Sequence, residues 1–142
     1  MSRHVTKEEY LNKNNAVERK KMVSGLIIVL IVVLISSVGQ IMLKQGVSNV
    51  GGLKLSEIFS LKLFSVLFYP LIFFGILFYA GAMILWLVGL STMDVSFMYP
   101  LISMGYIITT FFAVVFLNEQ VTLVRWLGVI LIVLGAFLIL RT

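Results

Sequence analysis

The sequence predicts an all-α membrane protein built from four transmembrane helices. Three observations lead there. First, 61% of the 142 residues are hydrophobic, only 12% are charged, and mean hydropathy is +1.11. A soluble domain carries about 45–50% apolar and about 25% charged residues, and a chain this short keeps too much surface to hide the difference. Second, the apolar residues fall in four uninterrupted runs near the ~20 residues that cross a hydrocarbon core. Third, the charge crowds at one end: Arg3, Lys7, Lys13, Arg19, Lys20 and Lys21 precede the first run, beside Glu8, Glu9 and Glu18. This composition excludes a soluble enzyme, a disordered tail and a secreted disulfide scaffold.

Residues 1–21 read as a polar cytoplasmic extension, partly helical, and residues 22–142 as the membrane domain. The extension is too long and polar for a signal peptide. The first span is expected at about 22–43 and the second at about 63–90. The third is expected at about 95–117 and the fourth at about 121–140. Continuous apolarity excludes barrel strands, which alternate. Within residues 44–62, Leu53, Leu55, Ile58 and Leu61 alternate with Lys54, Glu57 and Lys62, the pattern of a short amphipathic segment at the interface. The turns at 91–94 and 118–120 are tight, so neighbouring helices must run antiparallel. Four spans put both termini on one side, with seven basic residues there against four opposite. The positive-inside rule makes that side the cytoplasm. The basic balance is a membrane-flank signal and not a nucleic-acid footprint.

Lipid supplies no hydrophobic drive between helices, so small residues mark close packing. Gly75, Ala82 and Gly89 recur every seven residues in the second span, as do Gly128 and Gly135 in the fourth. Pro70 and Pro100 are expected to bend their helices. Four helices are few to enclose a solute path and no internal repeat is evident, so a dimer is expected, homomeric or with a related small subunit.

Polar residues within spans are costly and mark function by default. Ser37, Gln40 and Lys44 fall on one face of the first span, with Ser36 at its border. Glu119 ends the third span and Arg125 opens the fourth, on the same side as Lys44. Two cations beside one anion could hold a phosphate. The competing reading is a Glu119–Arg125 ion pair that only fixes the hairpin, with Lys44 snorkelling to headgroups. Asp94 is expected to cap the third span. Trp86 and Trp126 read as packing or interface residues. No Asp or Glu occupies the middle of a span. With no Cys, and His4 the only histidine, there is no metal cluster, and no nucleotide loop or catalytic triad appears. No enzymatic activity, cofactor or metal is expected.

The stretch from Leu85 to Leu140 resembles the drug/metabolite transporter superfamily. The matching elements are L-x-x-x-D-V-S-x-x-Y-P-L, the turn F-L-N-E-Q-V-T-L and the closing G-x-x-L-I-x-x-G; the opening SSVGQIMLKQG also fits. The resemblance implies a bundle like that of the small multidrug resistance proteins or of the EamA-like small subunits of the undecaprenyl-phosphate-aminoarabinose flippase. Drug-exporting members carry a membrane-embedded glutamate where this chain has Ser36, and a tryptophan where it has Leu101. Both departures point to the flippase branch, to which Tyr99-Pro100 and Asn118-Glu119 are fairly specific. The branch implies transport of a polyprenyl-phosphate-linked sugar across the bacterial inner membrane, and adds Tyr99 to the candidate substrate contacts. The alternatives are an exporter of small cationic solutes and a non-transporting accessory subunit.

Overall fold

The computed structural model describes residues 7–141; Arg3 and His4 of the extension lie outside them. Among the described residues there is no strand. Helix α1 spans Lys7–Asn49, α2 Leu61–Leu67, α3 Pro70–Leu90, α4 Val95–Ser103, α5 Gly105–Leu117 and α6 Leu123–Ile139, with a 3₁₀ turn at Leu55–Glu57. Three stretches are long and apolar enough to cross a membrane: most of α1, all of α3, and α4 with α5 together. The 17 residues of α6 fall below that length.

The elements depart from the expected spans where local chemistry intervenes. No break separates the basic extension from the first span. The polar and apolar parts share one 43-residue helix, about 64 Å long at 1.5 Å per residue. It ends at Asn49 because Gly51 takes a left-handed conformation (φ 79°). The Gly52 amide then donates to the Val47 carbonyl at 2.9 Å and the Gly51 amide to the Ser48 carbonyl at 3.1 Å, which satisfies two orphan carbonyls. The expected second span divides at Pro70, which opens α3 instead of bending a longer helix. A proline lacks the N–H that a first-turn residue would leave unpaired anyway. Between these points Leu55, Phe59, Leu61, Phe64 and Phe68 are all strongly exposed, Phe59 completely. The expected third span divides at Met104, four residues beyond Pro100, through the i→i−3 bonds Met104 N–H to Leu101 O and Ile107 N–H to Met104 O.

Helices α1 and α3 form the main seam and run antiparallel. Gly25 lies against Met93 at one end, Gly39 against Gly75 near the middle, and Gly46 against Ile72 at the other. Gly75, Ala82 and Gly89 are all buried in this seam or its flank. At Gly39 backbone meets backbone: a Cβ there would stand 3.0 Å from the Gly75 carbonyl oxygen. Helix α5 runs parallel to α1, from Gly105 beside Val33 through Thr109 beside Ser37 to Glu119 beside Lys44. The core is small: Val29 and Val33 of α1 pack with Met98 and Leu101 of α4. Helix α6 lies on the outside, packed against α4, and Leu140 just beyond it reaches the core cluster.

The two ends of the bundle differ in chemistry. Glu18, Lys21 and Met22 of α1 gather around Ser91–Asp94 and Phe97 at one end. Lys44, Asn49, Tyr69 and Glu119 occupy the other. Here too lies the 3₁₀ turn. The Glu57 carboxylate accepts from the Lys54 amide at 3.0 Å and from the Lys62 ammonium at 2.8 Å. These bonds, the backbone one foremost, hold its pKa below the ordinary value of 4.5. A lowered carboxylate pKa contributes stability above the unfolded value and loses it as pH falls through the folded one. The turn is therefore expected to loosen as pH falls through that lowered carboxylate value. Amide exchange at Lys54 and Glu57, normalised to intrinsic rates, should rise there in the wild type. In Glu57→Gln it should be fast at neutral pH already. A pH-independent wild-type profile would contradict the clamp.

Candidate functional site

Ser36 and Gln40 of α1 stand one helical turn apart and line two clefts at once. One cleft, of ≈340 Å³, lies between α1 and α3 and is completed by Tyr79, Ala82, Met83 and Trp86, with Ile102 at its edge. The other, of ≈280 Å³, lies between α1 and the α4–α5 bend and is completed by Ser37, Gly105, Tyr106 and Thr109. Each is near the small end of ligand-pocket volumes, roughly 300–1,000 Å³. No carboxylate lines either cleft among the described residues.

The polar groups differ in what they already hold. Ser37 is only 2% exposed, and its hydroxyl shares a 3.0 Å hydrogen bond with Thr109. It ties α1 to α5. The Ser36 hydroxyl donates to the Val33 carbonyl of its own helix at 3.1 Å, which leaves its oxygen free to accept. Gln40 has no side-chain hydrogen bond among the described residues. Lys44, another turn along the same stripe, stands 4.0 Å from Glu119 with both side chains partly solvated.

The structure therefore corrects one reading of the outer charges. Glu119 faces Lys44 and not Arg125, for which there is no ion pair among the described residues. Asn118 is the reason. It takes a left-handed conformation (φ 51°), and the Asn118 and Glu119 amides both fold back on the Ala113 carbonyl. That turn carries the carboxylate to α1. Arg125 is exposed on α6, where its amide caps on Thr122 at 3.3 Å. Asp94 likewise occupies the N-cap of α4, but only its backbone carbonyl accepts there; its side chain makes no cap bond.

Tyr99 is not brought to the Ser36–Gln40 stripe. It shares an open groove between α4 and α6 with Gly135 and Ala136, and its ring stands edge-on to Trp86, 6.0 Å between centroids. A Cβ on Gly128 or Gly135 would meet nothing within 4 Å. Tyr79 and Trp86 enter the α1–α3 cleft without having been singled out in the sequence as ligand contacts. Their spacing of seven residues, in register with Gly75, Ala82 and Gly89, was the available signal, since all of them share the side of α3 turned toward α1.

These features define a multi-pass helical membrane protein with polar clefts at membrane depth and a paired cation at one end. The EamA-like transporter family model matches residues 55–141. Over 131 residues the chain is 32% identical to the probable 4-amino-4-deoxy-L-arabinose-phosphoundecaprenol flippase subunit ArnF of Shewanella sediminis, covering 83% of this chain and 88% of that one. It is 40% identical over 58 residues to the probable flippase subunits ArnE of Salmonella paratyphi B and Salmonella newport, covering 41% of this chain and about half, 52%, of each relative. No solved structure matches. The chain belongs to the EamA-like transporter family.

Proposed function

We propose that the chain is one subunit of a flippase that carries a polyprenyl-phosphate-linked amino sugar across the bacterial inner membrane. The observation that carries this reading is the stripe Ser36–Gln40–Lys44: two uncharged polar groups open to clefts, then a cation one turn further on. A lipid phosphate needs the cation, a sugar needs the uncharged donors and acceptors, and a polyprenyl tail can remain in the bilayer beside the apolar helices. Lys44 and Arg125 take the phosphate in this reading, and the phosphate displaces Glu119 from Lys44. The names of the similar proteins, which specify a phosphoundecaprenol carrying an aminopentose, support the same substrate class. An exporter of cationic solutes would want a carboxylate in the clefts, and neither has one.

In this reading α6 is the fourth span. Its 17 residues with their caps cover about 26–30 Å, close to the hydrocarbon thickness. Both termini then lie in the cytoplasm, beside the basic residues Arg19, Lys20 and Lys21, and the Lys44 end faces outward. The unit is a dimer, with an identical or related subunit packed on the open side of α6. Leucines at both Gly128 and Gly135 are expected to separate the protomers, because bulky side chains hold backbones apart. Native mass spectrometry reads this directly, and an unchanged oligomer would remove α6 as the contact. The decisive test of function is a reconstituted flipping assay. Translocation of a sugar-bearing undecaprenyl phosphate is expected in vesicles holding the whole assembly. Its absence would leave the chain an accessory subunit.

A further inference from the structure

The geometry points to the α1–α3 cleft as the subsite for the sugar headgroup, with Gln40, Tyr79 and Trp86 as its specificity-determining residues; this deepens the flippase reading and rests on it. Three polar groups line that cleft with no hydrogen-bond partner among the described residues: the Gln40 amide, the Tyr79 hydroxyl and the Trp86 indole N–H. None is sealed away, since no fully buried side-chain nitrogen or oxygen lacks a partner. Tyr79 lies about half-way along α3, so its hydroxyl stands at a depth where water is scarce and an unpaired polar group is costly. A ligand that supplies donors and acceptors removes that cost.

The chemistry of the walls selects a sugar. Two aromatic residues, Tyr79 and Trp86, sit two helical turns apart on one helix, and Gln40 and Ser36 face them from α1. A monosaccharide offers C–H faces to aromatic rings and a rim of hydroxyls to an amide, which can both donate and accept. The Trp86 ring is braced on two sides: Tyr99 stands perpendicular to it (88°), and it packs against the core cluster of Val29, Val33, Met98 and Leu101. A ring braced in advance loses little freedom on binding. A polyprenyl chain would leave all three polar groups unmatched. The α1–α5 cleft is the poorer choice, since its Ser37 and Thr109 already satisfy each other.

The test compares two probes on the full chain in nanodiscs, in the assembly it forms in the membrane. One probe is undecaprenyl phosphate; the other is the same lipid bearing 4-amino-4-deoxy-L-arabinose. The chain has two tryptophans, so Trp126→Phe leaves Trp86 as the sole reporter. The sugar-bearing lipid is expected to shift Trp86 emission, and the bare lipid to leave it unmoved. Gln40→Leu and Trp86→Leu are each expected to reduce the preference for the sugar-bearing lipid about tenfold, the scale of one lost buried hydrogen bond. Lys44→Met should weaken both lipids alike and keep the preference. Should Trp86→Leu fail to fold, Gln40→Leu, on an exposed side chain, carries the comparison, with Trp86→Phe keeping the packing. An unchanged preference in folded Gln40→Leu overturns the subsite. So does a wild type that binds both lipids equally, with the phosphate reading left intact. A wild type that binds neither lipid overturns the functional reading itself.

Discussion

Gly39→Val is expected to be the most disruptive single substitution in the bundle. The new Cβ would stand 3.0 Å from the Gly75 carbonyl oxygen and 3.3 Å from both the Phe78 Cβ and the Tyr79 amide nitrogen. Two of these three atoms are backbone and cannot turn aside. The helices must separate, and overpacking of this kind costs about 1–3 kcal/mol, more where backbone is the obstacle. The seam is also the site's frame. Gly39 precedes Gln40, and Tyr79 follows Phe78, so a displaced α3 carries Tyr79 and Trp86 away from the stripe. The substitution should therefore lower the unfolding midpoint in detergent and weaken binding of the sugar-bearing lipid together. Gly81→Val is the control, because a Cβ there meets nothing within 4 Å. It should unfold within about 0.5 kcal/mol of the wild type, as surface changes do. Equal midpoints for the two variants would mean that α1 and α3 do not approach this closely.

Lys44→Met should cost at least tenfold in affinity for undecaprenyl phosphate. A hydrogen bond to a charged group contributes about 1.5–3 kcal/mol, or roughly 10- to 100-fold. Lys44→Arg keeps the charge and should retain most binding, although the planar fork directs its donors differently. The effect of Glu119 separates a ligand site from a mere tether. A solvated pair at 4.0 Å contributes at most about 1 kcal/mol, so Glu119→Gln should cost little stability. It should leave phosphate affinity equal or higher, because Glu119 competes with the phosphate for Lys44. Arg125→Gln should weaken binding less than Lys44→Met. Titration of each folded variant with the bare lipid measures all four. Wild-type affinity in both Lys44→Met and Arg125→Gln would end the phosphate-site proposal. If Lys44 serves only as a tether, Lys44→Met and Glu119→Gln should lose stability equally and bind lipid as before.

Both predictions depend on features that the sequence announces unevenly. The stripe Ser36–Gln40–Lys44 is legible because helical spacing alone decides which residues share a face, whatever the helix packs against. The small-residue register Gly75, Ala82, Gly89 is legible for the same reason. Its counterpart on α1 is harder to see. Gly39 and Gly46 repeat it, but Val32 interrupts the row before Gly25, and only the packed pair shows Gly39 facing Gly75. Tyr79 and Trp86 read as ordinary membrane aromatics until α1 stands opposite them. The partner of Glu119 could not be read at all. Arg125 is the near neighbour in sequence, but the left-handed Asn118 turns the carboxylate toward a residue 75 positions away.

The sequence by itself determined the class of the protein, its helical runs and the face of α1 that carries polarity. These follow from composition, run length and the 3.6-residue period, which act within one segment. The exact ends of the helices were also local matters, but of competing signals: Pro70 could bend a helix or begin one, and Gly51 could sit in a loop or terminate α1. The tertiary structure decided those contests, because a helix end is chosen by which carbonyls and amides find partners. It alone decided that α1 and α3 form the seam, that α6 lies outside, and that Ser36 and Gln40 open onto clefts. Contacts between helices in lipid depend on matched surfaces of two segments, and one segment's pattern does not specify its mate.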